Sequence, residues 1–248
     1  SSGIFNRSDM TMRDASLEKM KAACDSLELT AGDHLLEIGT GWGALAIYAA
    51  ENYGCRVTTT TISKEQFDFA KQRVLESGLG NLVEVLDQDY RELPGSYDKL
   101  VSVEMIEAVG DEYLDVFFRK CKALLRPGGK MLLQSILMND DDYEDYLESV
   151  DFIRFYIFPG GCLPSMKRID AINTEEELFE RLHLLDMTPS YVQTLGFWLK
   201  GFRAKSEECE KLGYDASFQR LWEYYLEYCK AGFSSQHVSV AQLLFERS

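Results

Sequence analysis

The sequence predicts an α/β protein built on a mostly parallel sheet with helices on both faces, and three observations carry that expectation. Short β-branched runs alternate with longer amphipathic stretches, a glycine-rich turn "GTGWG" follows the first such run, and "RPGGK" at 126–130 ends a helix sharply before a fifth strand. Strands are expected near 33–38, 55–60, 82–87, 97–103 and 130–137, with helices near 16–27, 44–53, 63–77 and 111–125. After the fifth strand the alternation fails. The acidic, aromatic segment 138–165 is polar at its start and apolar at its end, which suits a cap over the sheet rather than a linker. A sixth strand in "LHLLDMTPSY", helices over 191–211 and 216–232, and a last strand in "HVSVAQLLFER" complete seven strands.

Composition bounds the function. A chain of 248 residues, 46% hydrophobic and 12% aromatic, can bury one large core, so a single domain over 1–248 with a cap insertion at about 138–165 is expected. With 26 Lys and Arg against 41 Asp and Glu, the formal charge of -15 repels nucleic acid and anionic lipid headgroups. Any membrane contact is then local, peripheral and largely apolar. Six scattered cysteines show no disulfide or zinc spacing, which fits a reducing, cytoplasmic compartment, and no apolar run approaches the ~20 residues of a membrane span. The chain opens on "SSGIFNRSDM" without a starting Met, so a preceding segment is expected.

The glycine turn selects a ligand class. Gly39, Gly41 and Gly43 stand at G-x-G-x-G, whereas a dinucleotide fingerprint is G-x-G-x-x-G followed by an acidic residue at the end of the second strand. Here that strand ends in Thr58, Thr59, Thr60 and Thr61, with no carboxylate. Glu37, just before the turn, suits a cationic ligand better than a pyrophosphate, and S-adenosylmethionine carries both a sulfonium and an α-amino group. A purely structural tight turn is the competing explanation.

Five motifs in order bring a family into view. "GTGWG" with Trp42, then Thr61-Ile62-Ser63 with Gln66, "QDYREL" at 88–93, "SVEMIEAVG" at 102–110 and "YIFPGGCLPS" at 156–165 together resemble the cyclopropane-fatty-acyl-phospholipid synthases, which include the mycolic acid cyclopropane synthases. The likeness spans nearly the whole chain. It implies a Rossmann-like, seven-stranded class I methyltransferase sheet with a helical cap. It also implies S-adenosylmethionine held at Thr61, Ile62 and Gln66, with Asp89 and Tyr90 lining the adenine pocket. The implied reaction is methyl transfer to the double bond of an unsaturated fatty acyl phospholipid chain. Full-length bacterial members carry a further N-terminal lipid-binding domain, absent from this chain, and a homodimer is compatible with the family.

Methylating an alkene needs a strong electrophile, a dry pocket and a route for the proton that must then leave. In the family a bound bicarbonate takes that proton. The resemblance places its holders at Glu107, Tyr191 and the backbone of Ile136, with Ser2 where the family has Cys and Gln134 where it has His. The His that usually follows the Glu is Ala108. Gln can hydrogen-bond an oxyanion but cannot carry a proton near neutral pH. These departures open a methyl- or methylene-branched product beside the cyclopropane.

Plainer explanations stand beside these. Glu107 would cap the next helix or pair at the surface, Gln134 would be a satisfied core amide, and Phe152, Phe155, Tyr156 and Phe158 would pack in the core rather than line a dry pocket. His34, His183 and His237 lack metal-ligand spacing, Cys162 lacks an activating neighbour, and no metal site is expected. Two other functions compete with lipid C-methylation: N-methylation of a small amine, in which Glu104 and Glu107 would pair with the substrate, and a silent cofactor-binding partner protein.

Overall fold

The computed structural model describes residues 1–247. Seven strands form one sheet: β1 (His34–Ile38), β2 (Arg56–Thr61), β3 (Val83–Asp87), β4 (Tyr97–Val103), β5 (Leu125–Met138), β6 (Phe179–Asp186) and β7 (Val238–Arg247). Their order is β3-β2-β1-β4-β5-β7-β6. The first five run parallel, while β7 is antiparallel to both β5 and β6. Strand order reverses between β1 and β4, and in open α/β sheets ligands bind outside the carboxyl ends of the strands at such a point.

Alternation along the strands separates the two faces. Leu36 and Ile38 of β1, Met131 and Leu133 of β5, and Leu243 and Phe245 of β7 pack on one side with α4 (Leu114–Leu124) and α6 (Met166–Glu175). Leu35, Leu132 and Leu244 face the other, against α1 (Met12–Ser26), α2 (Ala44–Tyr53) and Val74 of α3 (Lys64–Glu76). Farther along that second face, α7 (Thr188–Ala204) and α9 (Ala216–Ser234) build a third cluster on Val240. Between them lies the short α8 (Ser206–Lys211).

Several boundaries move for local reasons. α1 starts four residues earlier than the periodicity indicates, because Thr11 and Asp14 form a reciprocal capping box. The sixth strand ends at Asp186 rather than running through Tyr191, since Pro189 opens α7 in its first turn, where its fixed φ and missing N–H are tolerated. That shift puts Tyr191 on a helix. α6 is an element the sequence pattern does not announce: Ser165 caps it by accepting from the Arg168 N–H, and Ile169 and Ile172 form its short apolar face. The segment 138–165 holds α5 (Tyr143–Glu148) and a π-helical turn over Ile153–Ile157, and Phe152 packs edge-on against Tyr224 of α9 at 4.7 Å.

Candidate active site

Two loops flank the reversal point. The first, after β1, is the glycine turn. Gly39, Gly41 and Gly43 all have positive φ, a region that L side chains rarely adopt. Their surroundings differ. A Cβ on Gly43 would come within 3.0 Å of Ala70 Cβ, so that glycine lets α2 start close against α3, whereas a Cβ on Gly41 would point into space with no protein atom within 4 Å. Only the second arrangement leaves room for a ligand to approach the backbone.

Beneath this turn Glu37 is 3% exposed. Its Oε2 accepts from the Thr59 hydroxyl at 2.6 Å, and that hydroxyl lies 2.7 Å from Thr40 Oγ1, so β1, β2 and the turn are tied by one polar chain. Burial pushes the Glu37 carboxyl up to about 8, with the Thr59 bond and Lys19 acting against the rise. A cationic group placed nearby would return it to the ionised form.

The other expected cofactor residues lie in the glycine turn, at the carboxyl ends of β2 and β3, and at the start of α3. Thr61 donates to Gln66 Oε1 at 3.0 Å and accepts from the Ser63 N–H at 3.1 Å, which fixes the start of α3. Ile62 and Trp42 are exposed, and Trp42 meets Phe69 edge-on at 5.3 Å. Asp89 follows β3; its carboxylate takes Arg91 Nη2 at 2.6 Å, and that guanidinium holds it below the ordinary carboxylate range. Tyr90 packs edge-on against Phe117 at 5.6 Å.

The second loop, after β4, carries two carboxylates. Glu107 sits in a short turn over Ile106–Ala108, and its Oε1 accepts from the Ile136 N–H at 2.7 Å and from Ser135 Oγ at 3.2 Å. Its Oε2 is buried without a partner, as is Ser2 Oγ. Burial first, and Glu104 second, push Glu107 up to about 8. It is therefore neither a helix cap nor a surface pair. Ile136 contributes its backbone amide, and Ser135, which the motifs did not single out, adds a hydroxyl.

Glu104 was expected only as an amine partner, yet it gathers the remaining residues. Gln134 Nε2 donates to its Oε1 at 2.9 Å, and the Tyr191 hydroxyl donates to its Oε2 at 3.0 Å. Tyr191 is stacked on Phe233 at 4.4 Å. Burial and then Glu104 hold its phenol well above the ordinary value, so it remains a donor. Over this cluster runs the chain start: the Gly3 N–H donates to Thr194 Oγ1 and the Phe5 N–H to Ser190 Oγ, both on α7. Lys19 of α1, lowered by burial, donates to Ser1 Oγ at 2.6 Å and faces both Glu37 and Glu104.

The aromatic segment departs from both readings given to it. Phe155, Tyr156 and Phe158 are 64%, 61% and 55% exposed, so they neither pack in the core nor enclose a dry pocket. His34 bonds Thr58 and His237 pairs with Asp142, and both roles are structural.

With this geometry in place, the comparisons with known proteins become specific. The description "Mycolic acid cyclopropane synthetase" belongs to a family profile that matches residues 1–243. The chain belongs to that family. It is 39% identical over 228 residues to a tuberculostearic acid methyltransferase of Mycobacterium tuberculosis, covering 92% of this chain and 53% of that protein. It is 36% identical over 236 residues to the cyclopropane-fatty-acyl-phospholipid synthase of Escherichia coli K12, covering 95% and 59%. This family member thus spans little more than half the length of these relatives. A solved mycolic acid cyclopropane synthase complexed with SAH and CTAB superposes with a TM-score of 0.92 at 28% identity, over 100% of this chain and 89% of that one. The fold is the Rossmann-like class I methyltransferase sheet expected from the motifs.

Proposed function

We propose that this family member is an S-adenosylmethionine-dependent C-methyltransferase acting on the double bond of an unsaturated fatty acyl phospholipid chain. One observation carries the proposal: at the strand-order reversal, a ligand-permissive glycine turn over a buried acid faces a buried carboxylate cluster from the next loop. The names of the relatives point the same way, two being acyl-modifying enzymes.

The residues fit the methyl donor. Gly41 would let its backbone-facing side approach, with Gly39 and Gly43 shaping the turn, Glu37 would balance its positive charge, and Thr61, Ile62 and Gln66 would take the sugar. Trp42, Asp89 and Tyr90 would border the base. When bound, the donor supplies an electrophilic methyl group on sulfur. The chain's own part would be to orient the alkene, exclude water and receive a proton, with Glu107, Tyr191, Gln134, Ser2 and Ile136 bordering that proton's route.

Among the described residues, no helix is long and apolar enough to cross a membrane. We infer that substrate is met at a bilayer surface through Val150, Phe155, Tyr156 and Phe158, an exposed apolar group on the cap. Its local character suits a protein whose overall charge opposes anionic lipid.

The test is incubation with methyl-labelled S-adenosylmethionine and vesicles of mixed unsaturated phospholipids, followed by mass analysis of the acyl chains and sedimentation of the vesicles. Label in the acyl chains, at the former double bond, is expected. Label in headgroup or added amines instead would establish N-methylation and overturn the proposal. Absence of the protein from sedimented vesicles would remove the surface contact.

A further inference from the structure

The residues do not fit a bound bicarbonate. Of the three side-chain donors that the family resemblance assigns to that ion, Gln134 Nε2 and the Tyr191 hydroxyl are already directed at the two oxygens of Glu104, and only Ser2 Oγ is left without a partner; the backbone N–H of Ile136 is taken by Glu107. A second anion on the same donors would have to displace the Glu104 carboxyl group from them. We infer that the Glu104 carboxylate is itself the anion these donors hold, and that it, in place of bicarbonate, accepts the proton lost from the alkylated acyl chain. The inference rests on the methyl transfer proposed above.

Three further features of the geometry converge on Glu104. Its φ is +48°, a left-handed conformation that strains a non-glycine residue and persists only when its surroundings enforce it. Here the Glu104 N–H donates to the Gln134 carbonyl at 2.8 Å, and the side chain is gripped at both oxygens. Gln134 is in turn aimed from behind. It stands opposite Gln242 in the β5–β7 register, and Gln242 Nε2 donates to Gln134 Oε1 at 3.1 Å, leaving the Gln134 amide hydrogens for Glu104. Finally, the two neighbouring carboxyls have different environments. Both Glu104 oxygens accept hydrogen bonds, whereas Glu107 has one oxygen buried without a partner and is pushed up to about 8, which equips it to hold a proton.

The step balances without an outside ion. The alkene π pair forms a C–C bond to the methyl carbon, and the S–C bond breaks with its pair remaining on sulfur. On the resulting cation a neighbouring C–H bond breaks, and its pair closes either a three-membered ring or a C=C bond. The proton passes to a Glu104 oxygen and returns to water when product leaves.

The experiment pairs binding with turnover, using 13C-labelled bicarbonate followed by NMR on the full chain. Wild type is expected to show no saturable bicarbonate binding and no loss of turnover when bicarbonate and dissolved CO2 are stripped. Glu104→Gly relieves the left-handed strain and empties the donors, so it should bind bicarbonate and lose about 10²-fold or more in turnover, with added bicarbonate restoring much of it. Glu104→Gln should lose turnover similarly while keeping wild-type thermal stability and donor affinity. Saturable bicarbonate binding to wild type that Tyr191→Phe abolishes, wild-type turnover that falls on stripping, or a Glu104→Gln variant of normal rate would each overturn the inference. Should wild type methylate no lipid, the function proposed above fails, while the binding comparison still decides what the donors hold.

Discussion

Replacing Glu37 by Gln separates the acid's electrostatic role from its shape. In the folded protein burial raises this carboxyl from its ordinary 4.5 to about 8. At ~1.4 kcal/mol per decade of proton affinity, that gap amounts to a penalty on the order of 4–5 kcal/mol for holding the charged form. The sign follows from proton uptake: the folded state binds this proton more tightly than the unfolded chain, so stability declines as pH rises between about 4.5 and 8. Below that window both states are protonated and the penalty vanishes; above it, both are ionised and the penalty is complete. Gln keeps an acceptor for Thr59 and cannot ionise. Urea unfolding of ligand-free wild type and Glu37→Gln should therefore give similar stabilities near pH 4.5 and diverge by several kcal/mol, in favour of the variant, near pH 8.5. Glu107 slopes the same way but is common to both proteins, so it drops out of the difference. Calorimetry with S-adenosylmethionine should show the opposite preference, the variant losing most of its affinity because a cationic ligand no longer meets an acid. Parallel pH profiles for the two proteins would refute the assigned burial, and unchanged affinity would refute the assigned pocket.

Three further outcomes are expected. Gly41→Val should fold at a cost of about 1–3 kcal/mol for its left-handed backbone and lose donor binding, whereas Gly43→Ala should lower the melting temperature through its contact with Ala70; donor affinity retained in the valine variant would relocate the ligand. Glu107→Ala should leave donor affinity within a few-fold of wild type and reduce turnover by at least about 10²-fold, and undiminished methylation of lipid would place Glu107 outside the reaction centre.

The local features of the fold were legible in the sequence because they are written in neighbouring residues. The first five strands announce themselves by composition and spacing, and the turn "GTGWG" with Glu37 before it marks the candidate site within seven residues. The motif order carried the family as well. The helix over Met166–Glu175 has too short an apolar face, Ile169 and Ile172, to show as a period, and the apolar run before Pro189 hides a boundary set by a residue that favours helix starts.

What tertiary structure alone decided is the company each site residue keeps. The motif "SVEMIEAVG" contains Glu104 but does not show its partners: its donors arrive from Gln134, 30 residues on, and Tyr191, 87 residues on. They meet because β4 and β5 are neighbours in the sheet, because β7 sets Gln242 behind Gln134, and because Pro189 starts a helix that swings Tyr191 over the strand ends. A motif names residue types, but whether an anion site is open or filled by the chain's own carboxylate depends on strand order and on one left-handed backbone angle. Those are products of long-range packing, to which local patterning is blind.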